Sequence, residues 1–341
     1  MTLRVGLLGF GLGGAIFHAP LIAATPSFDL TAIVTSDPER RAQAARTYPS
    51  AAILHNAQEL WNRAGDLDLV IVATPNRSHV PLATTALEHG LAVVVDKPLA
   101  TNGADARTLI AEAKRRQILL SVFHNRRWDG DFLTVRKLIA DHALGDVWRF
   151  ESRFERWRPA PRQGWRELGD PAEAGGLLFD LGTHLIDQAL TLFGEVDRTH
   201  AELRRRRPDV AVDDDVFVAL EHANGVVSHL WMSSVAAQAG PRFRVLGSRA
   251  AYTKFGMDVQ EDALRAGSRP DRNPDWGEDA TARWGLLGAA DETHPIRTER
   301  GAYQEYYQQI ARAITAGESV PVDPEDAVDV LEIVDAIRTM L

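Results

Sequence analysis

A short apolar run, Val5-Gly6-Leu7-Leu8, ends in Gly9-x-Gly11-x-x-Gly14, and a helix-like pattern follows from Ala15. In this order the first glycine permits a tight turn and the second lets the backbone approach a pyrophosphate. The third lets helix and strand pack closely, so that the helix start faces the phosphates. Alone the pattern is weak, because glycine-rich turns occur in many unrelated loops. The strand before it, the helix after it and a second strand-like run at 30–34 favour dinucleotide binding over a purely structural turn. A redox cofactor is therefore expected, and it narrows the chemistry to be sought downstream.

Strand and helix signals alternate through the first third of the chain. Strands are expected at 4–9, 30–35, 67–73, 91–95 and 118–123. Between them, helices are expected at 15–25, from Asp37-Pro38-Glu39, from a Ser78 cap to a stop at His89-Gly90, and from Asn102/Gly103 to Arg116. Near-continuous Val/Ile/Leu strands in this rhythm predict a parallel sheet covered on both faces. Near residue 145 the rhythm changes. Residues 145–154 alternate apolar and polar, 175–193 read as a helix, and strand-like runs follow at 216–221, 226–232, 243–246 and 251–255. Ala223-Asn224-Gly225 is a hairpin signal. This predicts an antiparallel sheet with one helix laid on it. Residues 266–299 read as a long polar loop, and 303–316 and 325–340 as closing helices.

With 341 residues, two domains are the natural expectation. A formal net charge of −9 argues against general nucleic-acid affinity and against attraction to anionic membranes. The absence of cysteine excludes disulfides, thiolate nucleophiles and cysteine-ligated zinc. Arg4 before an apolar stretch could pass for a secretory signal, but the glycines already have a role there and no small-residue cleavage site follows cleanly. No run approaches the roughly 20 apolar residues needed to span a bilayer. A cytoplasmic protein is the default expectation.

Two further constellations carry chemistry. Asp96-Lys97-Pro98 directly follows a strand, at the end of a parallel strand that faces a ligand crevice. A lysine there can polarise a carbonyl or hydroxyl oxygen; the alternative is a surface lysine held by a turn. In Gly175-Gly176-Leu-Leu-Phe-Asp180-Leu-Gly182-Thr-His184-Leu-Ile-Asp187, regular helical spacing places Asp180, His184 and Asp187 on one face. A histidine titrates near neutral pH and can exchange a proton with a substrate hydroxyl, while a carboxylate one turn away orients it. The alternatives are a core histidine and a metal site; two carboxylates and one histidine make a thin ligand set, so no metal is expected.

Taken together, the three motifs resemble the Gfo/Idh/MocA oxidoreductases, over essentially the whole chain. The usual second motif there is Glu-Lys-Pro; here it is Asp96-Lys97-Pro98. The block Ser121-Val122-Phe123-His124-Asn125-Arg126-Arg127-Trp128-Asp129 and the entry Phe17-His18-Ala19-Pro20 resemble the bacterial NADP-linked scyllo-inositol dehydrogenase subgroup. The resemblance implies an α/β protein: a Rossmann NAD(P)-binding domain over 1–125, then an α/β substrate domain over 126–300 with an open, mostly antiparallel sheet. Closing helices over 301–341 would pack back toward the first domain. It also implies a homo-oligomer, a dimer or tetramer, formed through the second sheet. It makes Lys97 catalytic and His184 the acid/base with Asp180 beside it. Gly9, Phe10, Gly11, Gly14 and Asp96 fall to the cofactor. So do Thr74, Pro75 and Asn76 on its ribose and nicotinamide side, with His79 nearby, and Asn125. Trp165 and Arg166, within the Arg- and Trp-rich stretch 153–166, are expected near the cofactor as well.

The end of the second strand is Val34-Thr35-Ser36, where an acidic residue would bind the ribose 2′-hydroxyl of NAD and repel a 2′-phosphate. Asp37 comes too late and suits a helix start. Thr35 and Ser36 are small donors, and Arg40 and Arg41 are within reach of a phosphate, although an exposed helix pair is the commoner fate of such arginines. NADP is therefore favoured over NAD. The four arginines 204–207 precede Asp213-Asp214-Asp215 and read as a strand end or subunit contact rather than a nucleic-acid patch. The expected reaction is hydride transfer between nicotinamide and a secondary hydroxyl or ketone of a cyclitol or sugar, with scyllo-inositol and its 2-keto partner leading. A reductase of another keto-sugar or anhydro-sugar, a redox-assisted hydrolase or lyase, and a non-catalytic cofactor-binding regulator are the alternatives.

Overall fold

A computed structural model describes residues 2–161, 164, 167 and 169–340. The chain divides into two compact units. The first comprises Met1–Asn125, Gln260–Trp276 and Ala302–Asp329, and the second Arg126–Val259, Gly277–Gly301 and Val330–Leu341.

Six strands build the first unit: β1 (Leu3–Leu8), β2 (Phe28–Val34), β3 (Ala52–Leu54), β4 (Leu69–Val72), β5 (Ala92–Asp96) and β6 (Leu120–Phe123). All pair in parallel, in the order β3-β2-β1-β4-β5-β6. Val5, Leu7, Val70, Ile71, Val93 and Val94 are fully buried. Helices cover such strands on both faces, so their sequence reads as an apolar run rather than an alternation. Strand order reverses between β1 and β4, and ligands of open parallel sheets bind beyond the strand ends at such a reversal. The closing helix Tyr303–Ala316 belongs to this unit, with Tyr303, Tyr306, Tyr307 and Ile310 buried.

The second unit holds eight strands: β7 (Val147–Glu155), β8 (Val196–Arg204), β9 (Asp215–His222), β10 (Val227–Ser233), β11 (Phe243–Gly247), β12 (Ala251–Lys254), β13 (Gly285–Ala289) and β14 (Glu292–Ile296). They run in the order β14-β13-β12-β11-β7-β10-β9-β8. The pairing is antiparallel except between β7 and β10, which is parallel. Along β9 every second residue is buried, as expected when one face of a sheet is covered and the other is not. Phe150 on β7 stacks between Phe193 and Phe243, at ring-centroid distances of 5.5 and 5.7 Å. The Asn224-Gly225 hairpin joins β9 to β10, with Gly225 at φ +86°.

Several elements depart from the sequence reading. The polar stretch 266–299 is not one long loop, because it contains the β13–β14 hairpin. That hairpin turns on Ala290-Asp291, with Ala290 at φ +49°, so no glycine or asparagine marks the turn. β14 is exposed almost throughout and carries Pro295, so it shows no alternation. Ser78 does not cap the helix His79–Glu88; it lies in a 3-10 turn, and its hydroxyl faces back to the Pro75 carbonyl and the Thr74 hydroxyl at 2.7 and 2.8 Å. The arginines 206 and 207 are ion-paired to Asp215 at 3.0 Å and to Asp214 and Glu167 at 2.8 and 2.9 Å. Among the described residues no helix is long and apolar enough to cross a membrane.

Phe150 is fully buried. Phe150→Ala is expected to destabilise the second unit by about 3–5 kcal/mol, read as a lowered urea midpoint by circular dichroism; an unchanged midpoint would show that this aromatic stack is not the core.

Candidate active site

The glycine loop leaves β1 at the strand-order reversal. Gly9 sits at φ +97°, and a Cβ there would stand 2.3 Å from the Ala73 carbonyl oxygen just beyond β4. At Gly14 a Cβ would meet the Gly9 carbonyl oxygen at 2.0 Å. Both positions therefore require glycine for the loop to close. Gly11 differs, since among the described residues the one atom within 4 Å of its missing side chain is Nη1 of Arg40, at 3.7 Å. The open space at Gly11 next to a guanidinium suits the close approach of a phosphate, so the loop fits a dinucleotide. Phe10 is buried edge-on against Tyr48.

Around this loop the first unit gathers most of its expected cofactor residues. Thr35 is buried and Ser36 exposed. Asp37 is committed as the cap of the helix Pro38–Thr47, accepting the Arg40 backbone N–H at 2.9 Å, which leaves Arg40 exposed beside Gly11. The Thr74 methyl lies against Gly9. Pro75 is exposed, and Asn76 and Asn125 are buried. His79 is buried with Nδ1 2.8 Å from the Pro98 carbonyl and Nε2 2.8 Å from the Thr74 carbonyl. Burial holds its imidazole below the ordinary histidine range, so it is neutral near pH 7 and donates to one of the two carbonyls.

Asp96 closes β5 and Lys97, half-buried, follows it. The Asp96 carboxylate accepts the Lys97 backbone N–H at 2.9 Å, and its Oδ2 lies 2.7 Å from where a Gly13 Cβ would stand. Burial alone would push this carboxyl up. The contact with His18 and the charge of Lys97 outweigh burial and hold it below the ordinary carboxylate range. The β1 loop, Thr74, His79 and the Asp96-Lys97-Pro98 turn are thus brought together at the ends of β1, β4 and β5.

In the second unit, Gly175-Gly176 lets a neighbouring loop come close. Gly176 takes φ +91°, and the Asp213 carboxylate packs against it and accepts the Leu178 N–H at 2.8 Å. Burial pushes the Asp213 carboxyl up. The backbone then makes a π turn over Leu178–Gly182, with the Thr183 N–H reaching back five residues to Leu178, before the α-helix Thr183–Phe193. The wider turn replaces the regular α-helical spacing expected from Asp180 to His184. Asp180 is half-buried and lines a cleft of about 240 Å³ with Arg156, Arg158, Leu181, Ser233 and Ser234. His184 is buried, 6% exposed. Both oxygens of Asp187 are held by Arg127, at 2.6–3.2 Å. Trp165 and Arg166 lie outside the described residues. The sequence motifs include His18 and Arg127 without giving either a role, Tyr307 belongs to the closing helix read at 303–316, and Arg242 stands outside every motif.

Residues 3–124 match a family profile described as oxidoreductase family, NAD-binding Rossmann fold, and residues 136–339 one described as oxidoreductase family, C-terminal alpha/beta domain. The chain is similar to the scyllo-inositol 2-dehydrogenase (NADP(+)) IolW of Bacillus subtilis, 35% identical over 98% of this chain and 92% of that protein. It is also similar to the oxidoreductase YdgJ of Escherichia coli, 40% identical over 98% and 95%. The solved structure of the Bacillus subtilis oxidoreductase YvaA superposes with a TM-score of 0.93 at 35% identity, covering 99% of this chain and 95% of that one.

The glycines separate by role, and Gly11→Ala tests the ligand role alone. The variant is expected to keep the wild-type melting temperature while weakening NADP⁺ binding about tenfold by calorimetric titration, a loss of about 1.4 kcal/mol. Wild-type affinity in this variant would refute the phosphate-approach role.

Proposed function

From its membership of the Gfo/Idh/MocA oxidoreductase family, we propose that the chain is an NADP-preferring dehydrogenase or reductase of a secondary hydroxyl or ketone on a cyclitol or sugar. Scyllo-inositol and its 2-keto partner are the leading pair, the first being named in the NADP-linked relative. The observation that carries the NADP preference is the disposition of charge beside the glycine loop. The first acid after β2, Asp37, caps its own helix, and Arg40 faces the open position at Gly11. The Arg40 guanidinium beside the glycine loop is available to pair with a 2′-phosphate.

A bound nicotinamide dinucleotide supplies the hydride acceptor in oxidation and the donor in reduction. The chain's residues handle the oxygen and the proton. Lys97 donates hydrogen bonds from its ammonium group to the reacting oxygen. His184 accepts the hydroxyl proton when the alcohol is oxidised and returns it when the ketone is reduced. Asp180, in the cleft with Arg156 and the serines 233 and 234, binds a further hydroxyl of the polyol. The Asp96 carboxylate holds the Lys97 backbone.

A spectrophotometric screen of NADP⁺ and NAD⁺ reduction against inositols and aldoses tests the activity, and no cofactor reduction with any of them would defeat the substrate class. On the substrate found, Lys97→Ala and His184→Ala are each expected to lower kcat by roughly 10²-fold or more with NADP⁺ affinity preserved. Near-wild-type rates in both would remove these roles. Arg40→Ala is expected to raise the Kd for NADP⁺ about tenfold, the equivalent of about 1.4 kcal/mol, and to leave that for NAD⁺ within about twofold. Equal losses for both cofactors would place Arg40 elsewhere than the 2′-phosphate.

A further inference from the structure

Resting on the reading of Lys97 as the group that binds the reacting oxygen, we propose that Tyr307, His18 and Asp96 form a buried positioning relay. It would hold the Asp96-Lys97-Pro98 turn in place against the glycine loop. The three residues come from remote segments of the first unit: the end of a π turn (Gly13–His18), the end of β5, and the helix Tyr303–Ala316. None of this was expected from the motifs, and no role in hydride transfer accounts for a tyrosine this deeply buried.

His18 and Tyr307 are both completely buried. Their surroundings are aromatic. The Phe123 ring lies 4.4 Å from the imidazole, and Phe28 and Tyr306 stand edge-on to the Tyr307 ring at 5.9 and 5.3 Å. Polar groups in such a place are retained only with partners. The Tyr307 hydroxyl has one, His18 Nδ1, at 2.5 Å. Burial holds this phenol well above its ordinary range, so it keeps its proton. With Nδ1 as its partner the O–H donates to it, and the proton of the His18 ring is then on Nε2.

That proton points the relay at Asp96. Nε2 has no hydrogen-bond partner among the described residues, and the carboxylate oxygen beside it is Asp96 Oδ2, at 3.7 Å. A movement of less than an ångström converts this pair into a charge-assisted hydrogen bond. The other Asp96 oxygen is already committed to the Lys97 backbone N–H. One carboxylate thus has a side toward the imidazole and a side toward the catalytic backbone, and it lies against Gly13 in the same place. Turning Asp96 would shift the Lys97 amide, and with it the ammonium. His18 prevents that turn, and Tyr307 fixes the tautomer with which His18 acts. His18 and Tyr307 are positioning residues, since their effect passes through Asp96.

The test needs no substrate, so it can fail or succeed independently of the catalytic reading, which is decided by the turnover of Lys97→Ala. Long-range ¹H–¹⁵N spectra of the full chain labelled at histidine report each ring's tautomer, with His18→Gln identifying the signal. His18 is expected in the Nε2–H form in the wild type and as a mixture in Tyr307→Phe. In parallel, the rate at which acetic anhydride labels Lys97 is read by mass spectrometry, with the exposed Lys114 and Lys137 as internal standards. That rate is expected to change at least threefold in Tyr307→Phe and in His18→Leu. It should return toward wild type in His18→Gln, whose amide restores a donor near the Nε2 position. A wild-type His18 in the Nδ1–H form would overturn the proposal. So would identical Lys97 labelling in all four proteins, or a change in His18→Leu that His18→Gln does not repair, which would be the mark of mere packing.

Discussion

Two backbones meet at the ends of β1 and β4, and the first unit is organised around that meeting. Ala73 donates its N–H to the Leu8 carbonyl at 2.8 Å, Gly9 donates to Val34 at 3.0 Å, and no side chain fits between Gly9 and the Ala73 carbonyl. Gly14 then closes the loop onto Gly9 itself. Two of the three motif glycines are thus fully explained by the packing of the chain against itself. Gly11 is not, because a methyl group there would touch only the end of Arg40. A glycine whose space the protein does not use is best accounted for by something that comes from outside. Here the geometry says more than the motif does, because it separates the fold's requirement from the ligand's.

The second unit secures its chemistry by different means. The helix carrying His184 is tied down one turn later by buried polar side chains. Asp187 is gripped by Arg127. Gln188 donates to the Arg126 carbonyl at 3.0 Å and accepts from Arg242 at 3.0 Å. Arg242, almost wholly buried, also bonds Ser152 and lies 3.7 Å from Asp131, with its guanidinium over the Phe243 ring. Buried ion pairs add little net stability over apolar residues of the same size, because desolvation offsets the attraction. Their directional bonds do resist rotation of the helix about its axis. For the proton transfer proposed for His184, that fixed orientation matters more than extra stability.

How much of this was legible depends on whether side-chain type or backbone path carried the information. The parallel strands were readable because burial on both faces forces Val and Ile runs, as in Leu69–Val72 and Ala92–Asp96. β14 was not, since an exposed edge strand with a proline imposes no pattern. The two π turns, Gly13–His18 and Leu178–Gly182, were read as α-helix, because one extra residue per turn leaves no mark on composition. Asp37 was correctly separable as a helix start from its place before proline. The Tyr307–His18 contact spans 289 residues of chain, and nothing local to either residue announces it.

Both π turns fall where a chemistry-bearing segment begins: one leads from the glycine loop to His18, the other from Asp180 toward His184. A π turn is less favourable than the α-helix that could replace it, so each persists because something else in the structure favours it. At Leu178 that is the Asp213 carboxylate against Gly176, which takes the first free N–H. At Gly13 it is the Asp96 carboxylate, packed where any side chain at that position would have to go. In each case an acid from a neighbouring strand or loop packs against a glycine at or just before the turn. The same carboxylate that shapes the start of the first helix also holds the Lys97 backbone. The turn at Gly13 and the backbone of Lys97 thus share one half-buried carboxylate, that of Asp96.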